Sequence, residues 1–266
     1  MKITASNAPD TPQPLKGIAL SDNESFTSEH TDRMVDETGI SRKLIGFLEH
    51  DIHARTFKLL RTTLNRQIAE HGYQVIGITS CAPNAGKSFI ASNLAASMSR
   101  LSNRKTALLD LDFQRATVAE LFGISGSPGV ADYLREDDRA LEDLRWQVGD
   151  GDLSVYPTFV GNLSSGELLT SERYRTLISS LRQLDDQPLV ICDLPPLFIS
   201  DDALLAAQQL DGVLIVVEQG VTTRKQLEAA LRMLYPTRLI GTVFNRFSGG
   251  IGDPYGYAGG YSAYYK

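Results

Sequence analysis

Gln74-Val75-Ile76-Gly77-Ile78-Thr79-Ser80-Cys81-Ala82-Pro83-Asn84-Ala85-Gly86-Lys87-Ser88 opens as an apolar run and breaks at a loop containing Pro83 and Gly86. It then passes at once into Ser88 to Leu101, a stretch rich in Ala, Leu and Ser that reads as a helix. Strand, loop and helix in this order, with Gly-Lys-Ser opening the helix, match the second half of the phosphate-binding loop pattern. The reasons are physical. Gly86 lets backbone approach a phosphate closely, and successive N–H groups at a helix N-terminus form an anion nest. Lys87 adds a positive charge for the β- and γ-phosphates, and the Ser88 hydroxyl is a ligand for Mg²⁺. One departure is plain: Cys81 occupies the position of the pattern's first glycine.

Reading outward, the same grammar repeats. Thr106-Ala107-Leu108-Leu109 is a strand that ends on Asp110 and Asp112, and Leu153 to Tyr156 is a short strand. A helix from about Ser171 to Leu184 leads into Leu189-Val190-Ile191-Cys192, which again ends on an aspartate, Asp193. Ser200 reads as a helix N-cap with Asp201 and Asp202 in the first turn. A strand over Gly212 to Val217, a helix over about Thr223 to Leu234 and a strand over Leu239 to Phe244 close the series. Uninterrupted apolar strands alternating with amphipathic helices predict an α/β fold, a mainly parallel sheet with helices on both faces. Ligands of such sheets bind at the carboxyl ends of the strands, where the distinctive polar residues fall. An aspartate there can merely cap the next helix, but three of them beside a phosphate loop favour metal binding and base catalysis.

Three segments are expected. Residues 1–43, rich in Ser, Thr, Asp, Glu and Pro, read as a flexible N-terminal arm. Residues 44–247 form the nucleotide domain, opening with a helical segment over 44–70 in which Ile45, Leu48, Ile52, Leu59 and Leu60 recur at broadly helical spacing. Residues 248–266 are a Gly-rich tail holding Tyr255, Tyr257, Tyr261, Tyr264 and Tyr265, half of the ten tyrosines of the 266-residue chain. Glycines between these aromatics leave no continuous apolar face, so the tail is expected to be exposed.

A formal net charge of −6 gives no general pull toward nucleic acid or anionic membrane. The longest apolar stretch, Val213 to Val217, is far too short to cross a bilayer, and no targeting segment is visible, so a cytoplasmic location is expected. The two cysteines, Cys81 and Cys192, fit a reducing compartment and read as inert buried thiols.

The stretch Ser80 to Ser88 followed by Asn93-Leu94-Ala95 resembles the Walker A region of bacterial tyrosine kinases, the autokinases encoded with capsule and exopolysaccharide export systems. Asp110-Leu111-Asp112 is similar to their additional acidic motif, and Asp193-Leu194-Pro195-Pro196 to their Asp-x-Pro-Pro Walker B. Gly129 to Leu134, Glu167-Leu168-Leu169 and Gly241 to Arg246 keep the family's order, so the resemblance runs from about Phe57 to Phe247. The wording Asp193 to Pro196 with Ser200-Asp201-Asp202 is closest to autokinases of exosortase-associated exopolysaccharide loci.

The resemblance implies a P-loop NTPase of the deviant Walker, partition-ATPase-like type. Its cofactors would be ATP/ADP and Mg²⁺. Pro83, Asn84, Ala85, Gly86, Lys87, Ser88, Phe89, Asn245 and Arg246 would bind the nucleotide, with Lys87 and Ser88 at the phosphates and Asn245 at adenine. Ser88, Asp110 and Asp193 would hold Mg²⁺. Lys87, Asp110 and Asp112 would be catalytic, with the Mg²⁺-ligand and base roles of the last two left open between them. The five tail tyrosines would be the acceptors, phosphorylated in trans in a homo-oligomer. A membrane adaptor of a polysaccharide export system, holding the protein peripheral to the inner membrane, and a cognate phosphotyrosine phosphatase would be partners.

Two departures stand against the family pattern. Gln114 takes the place of the arginine in Asp-x-Asp-x-Arg, and Arg115 follows it. Arg55, Lys58 and Arg61 occupy the Glu-x-x-Arg-x-x-Arg ring motif, so its acidic partner is missing. The rival reading is a partition or division-site ATPase. Those relatives usually carry a lysine near the start of the loop, where this chain has Ala82. A nucleotide-dependent export regulator without kinase activity is the third reading.

Overall fold

The computed structural model describes residues 33–247 apart from 49–50, 52, 102–103, 127, 137, 151 and 162–163. Eight strands among them form one sheet: β1 (Arg33–Met34), β2 (Val75–Ser80), β3 (Thr106–Asp110), β4 (Trp146–Val148), β5 (Leu153–Tyr156), β6 (Leu189–Asp193), β7 (Gly212–Glu218) and β8 (Leu239–Asn245). Their order is β1-β4-β5-β3-β6-β2-β7-β8, parallel throughout except for the antiparallel pair β4 and β5. The helices are α1 (Ala54–His71), α2 (Lys87–Met98), α3 (Thr117–Leu121), α4 (Val130–Arg135), α5 (Ser165–Thr170), α6 (Glu172–Arg182), α7 (Asp202–Ala207) and α8 (Arg224–Leu234).

The central strands are apolar on both faces because both faces are covered. Along β2 and β3 alternate residues divide between two cores. Val75, Ala107 and Leu109 join Leu177, Leu181 and Ala206 of α6 and α7. Ile76, Ile78 and Leu108 join Phe57, Leu64 and Ile68 of α1 and Leu94 of α2. The expected two-faced parallel sheet is therefore what the chain forms.

Several boundaries differ from the sequence reading. Order begins before residue 44: Arg33 and Met34 pair with Trp146 and Gln147, and Val35 and Leu44 are buried. The 44–70 segment is a short 3-10 turn at Ile45–Phe47 followed by α1, not one helix. The buried face of α1 is Ala54, Phe57, Leu64 and Ile68, whereas Leu48 and Leu59 are exposed. Leu59 lies two positions from Phe57, about 200° around the helix, and so points to solvent. Asp201, not Ser200, is the N-cap of α7. The Ser200 hydroxyl instead donates to the Asp202 carboxylate at 2.9 Å, as does that of Ser165.

Strand order is what assembles the site. β6 lies between β3 and β2, so the loops leaving these three strands are adjacent. Asp110 and Asp193 are register partners at the strand ends, and the Leu111 N–H donates to the Asp193 carbonyl at 2.9 Å.

Candidate functional site

The loop after β2 turns through two left-handed residues, Asn84 at φ 64° and Gly86 at φ 93°. Gly86 N-caps α2, whose first-turn N–H groups have no intrahelical acceptors. A side chain is disfavoured at Gly86 on two counts. Its φ disfavours one, and a Cβ would lie 2.2 Å from the Asn245 amide nitrogen. That amide, at the end of β8, donates to the Ala85 carbonyl at 2.8 Å and so fixes the far side of the loop.

Lys87, the first residue of α2, is buried, and its Nζ donates to Asp112 Oδ2 at 2.5 Å and to Ser88 Oγ at 3.2 Å. Asp193 Oδ1 lies 3.9 Å from the same nitrogen. Burial alone would depress the ammonium, but the charges of Asp193, Asp112 and Asp110 hold it above the ordinary lysine value. The carboxylates respond in the same terms. Burial, then the Asp193 charge, raises Asp110 well above the usual carboxyl range. Burial lifts Asp193 to about 6 against the pull of Lys87.

Asp110, Asp112 and Asp193 are all fully or almost fully buried. The Asp112 N–H donates to Asp110 Oδ1 at 3.0 Å. Asp110 Oδ2, Asp112 Oδ1 and both oxygens of Asp193 accept no hydrogen bond of ordinary length, although Lys87 and the Ser88 hydroxyl lie near enough to Asp193 to draw its carboxyl down against burial. Buried orphan acceptors of this kind are costly and rare in finished cores. Their chemistry suits a hard divalent cation shared with phosphate. Among the described residues, no three His, Cys, Asp or Glu side chains could enclose a metal by themselves. Mg²⁺ fits that arrangement, because it takes one or two carboxylates and completes its shell with phosphate oxygens and water.

Pro83, Asn84, Gly86, Lys87, Ser88, Phe89 and Arg246 line one cleft of about 360 Å³, while Ala85 is buried beneath it. Arg246 pairs with Glu218 at its rim. Sequence reasoning did not find Lys43, Thr117 and Glu120, which line the same cleft. Gln114 is exposed, and Arg115 reaches across to Asn84 Oδ1 at 2.5 Å. Arg61 holds the Ser97 carbonyl of α2 at 2.7 Å, within one chain. Cys81 and Cys192 are free and buried, and burial pushes both thiols up, away from the reactive thiolate. A larger cavity of about 750 Å³ includes Lys105, Thr106, Asp186 and Pro188, at the other end of the strands, and none of the motif residues. The tail tyrosines Tyr255, Tyr257, Tyr261, Tyr264 and Tyr265 lie outside the described residues.

The profile of the CobQ/CobB/MinD/ParA nucleotide binding domain matches residues 76–253. The chain is similar to tyrosine-protein kinase etk of Escherichia coli (strain K12), at 29% identity over 184 residues. That alignment covers 69% of this chain and 25% of the relative, so the chain spans about a quarter of the relative's length. It superposes on the kinase domain of Escherichia coli tyrosine kinase ETK with a TM-score of 0.71 and 26% identity, covering 81% of this chain and 85% of that domain. The septum site-determining protein MinD with Mg-ADP from Pyrococcus horikoshii shares the fold alone, with a TM-score of 0.54 and 19% identity over 65% of this chain and 70% of that one. No helix among the described residues is long and apolar enough to cross a membrane.

Proposed function

We propose, since the chain belongs to the CobQ/CobB/MinD/ParA nucleotide-binding domain family, that it is a Mg-ATP-dependent protein-tyrosine kinase acting on the tail tyrosines of a neighbouring copy. The observation that carries this reading is the convergence of Lys87, Ser88 and three buried aspartates at the carboxyl ends of adjacent strands, with four carboxylate oxygens that accept no hydrogen bond of ordinary length. The likeness to a tyrosine-kinase domain supports tyrosine as the acceptor.

In this mechanism Lys87 would neutralise the β- and γ-phosphates, and Ser88, Asp110 and Asp193 would hold the cation. Mg²⁺ supplies charge neutralisation at the phosphates when bound. Asn245 would contact the base, with Arg246 beside it at the cleft rim. The phenol oxygen forms a bond to the γ-phosphorus as the bond to the ADP oxygen breaks. The phenol proton passes to the acidic pair Asp110 and Asp112. Catalysis is then mostly positioning and electrostatics, the usual balance in phosphoryl transfer. Arg115, bonded to Asn84, stands in for the arginine missing at Gln114.

Tethering Tyr255, Tyr257, Tyr261, Tyr264 and Tyr265 to the kinase gives a high local acceptor concentration. Each phosphate adds about −1.5 to −2 charge, so several would drive copies of an acidic chain apart. That cycle, reversed by a phosphotyrosine phosphatase, would regulate exopolysaccharide or capsule export through a membrane adaptor at the cytoplasmic face.

The test is incubation with Mg-ATP, with and without candidate adaptors, and mapping of phosphate by mass spectrometry. Wild type is compared with Lys87→Met and with a chain ending at Gly250. Phosphate confined to Tyr255–Tyr265 and lost in Lys87→Met is expected. Hydrolysis with no phosphotyrosine in any condition would leave a partition-type ATPase instead.

A further inference from the structure

Upstream of α1 the chain makes a strap against α2 and brings a lysine to the cleft from outside the phosphate loop. Ser41 donates its N–H to the Leu121 carbonyl at 2.9 Å, and Leu44 is buried. Asn93, fully buried on α2, is the joint. Its Nδ2 donates to the carbonyls of Lys43 at 3.1 Å and Phe89 at 2.9 Å, and its Oδ1 accepts the Gly46 N–H at 2.9 Å. The backbone on either side of Lys43 is therefore fixed, while its side chain is exposed on the cleft wall with Lys87, Ser88 and Arg115.

The charges around it are unbalanced. Lys43, Lys87, Arg115 and Arg246 line the cleft, and Glu120 is the one carboxylate among the described residues that line it. Lys87 is held by Asp112, Arg246 by Glu218 and Arg115 by Asn84. Lys43 has no ion pair among the described residues, so its charge is available to a ligand. We propose that Lys43, placed by Asn93, binds the polyphosphate of the nucleotide. This rests on the nucleotide reading of the cleft. The consequence is that residues upstream of the phosphate loop, not the loop alone, set affinity in proportion to ligand charge.

Titration calorimetry of the full chain with the Mg complexes of AMP, ADP and ATP tests this, using wild type, Lys43→Ala and Lys43→Arg. Lys43→Ala is expected to weaken ATP binding about three- to tenfold and AMP binding much less. Lys43→Arg should restore most of the loss, and the deficit should shrink in about 0.5 M salt. Melting within about 2 °C of wild type would show that the fold is kept, as expected for an exposed side chain. Unchanged ATP affinity, or an equal loss for AMP and ATP, would overturn the proposal. A wild-type protein that binds no nucleotide would instead overturn the reading of the cleft itself, and this inference with it.

Discussion

The Asp193 carboxyl sits fully buried at the end of β6, and burial lifts it from 3.8 to about 6 despite Lys87. Between those values the folded chain holds a proton that the unfolded chain has lost. Stability from this group is therefore lost as pH rises from about 4 to 6 and stays lost above that window. Asp193→Asn removes the buried charge. In chelator, without nucleotide, it should be more stable than wild type by about 1–3 kcal/mol at pH 7.5, with the gap closing near pH 4. Urea unfolding across that range is the measurement, and a variant no more stable than wild type at pH 7.5 would refute the argument. The same substitution should weaken Mg²⁺-dependent nucleotide binding, the usual trade between stability and a working site. At this scale Asp110 and Asp193 were legible because each follows an apolar run directly, and Asp112 because it lies two residues beyond Asp110. Lys43 was not, because its place in the cleft depends on Asn93, fifty residues away.

Elements differ in how much of themselves they announce. β2, β3, β6 and β7 are runs of five to seven residues buried at nearly every position, and such runs read as strands without tertiary help. The helix α8 was equally plain, with Thr223 accepting the Gln226 N–H at its N-terminus. β1 has two residues, and its pairing partner lies more than a hundred residues away, so no local pattern could mark it. α3, α4 and α5 have five or six residues each, under two turns, too few to show a period. The strap on α2 shows the same dependence on distant neighbours. A Cβ at Gly46 would lie 2.2 Å from the Asn93 carbonyl oxygen, which is backbone and cannot swing aside. Gly46→Ala must displace the strap and should cost about 1–3 kcal/mol. Thermal unfolding should show a melting temperature lower by about 2–10 °C, and an unchanged value would mean that the strap is not held.

For the molecule as a whole, the consequence of the strand order is electrostatic. Setting β6 between β3 and β2 gathers Asp110, Asp112 and Asp193 around a single lysine, and burial first, with the mutual repulsion added to it, raises Asp110 and Asp193. The fold therefore carries a local cost that a divalent cation and phosphate together can relieve. Mg²⁺ should matter more than nucleotide alone, since ADP without the cation brings further negative charge toward three carboxylates. At a hundred times its dissociation constant, Mg·ADP should stabilise the chain by about 2.7 kcal/mol, or about 5–11 °C in melting temperature for a domain of this size. ADP with chelator should give a much smaller shift. Lys87→Met should abolish the Mg·ADP shift if the proposed site is right, because it removes the buried ammonium that lies against Asp112 and Asp193. Thermal melts of wild type and variant with Mg²⁺ alone, ADP with chelator, and both together separate these terms. Equal shifts for ADP with and without Mg²⁺ would show that the buried aspartates take no part in holding a cation.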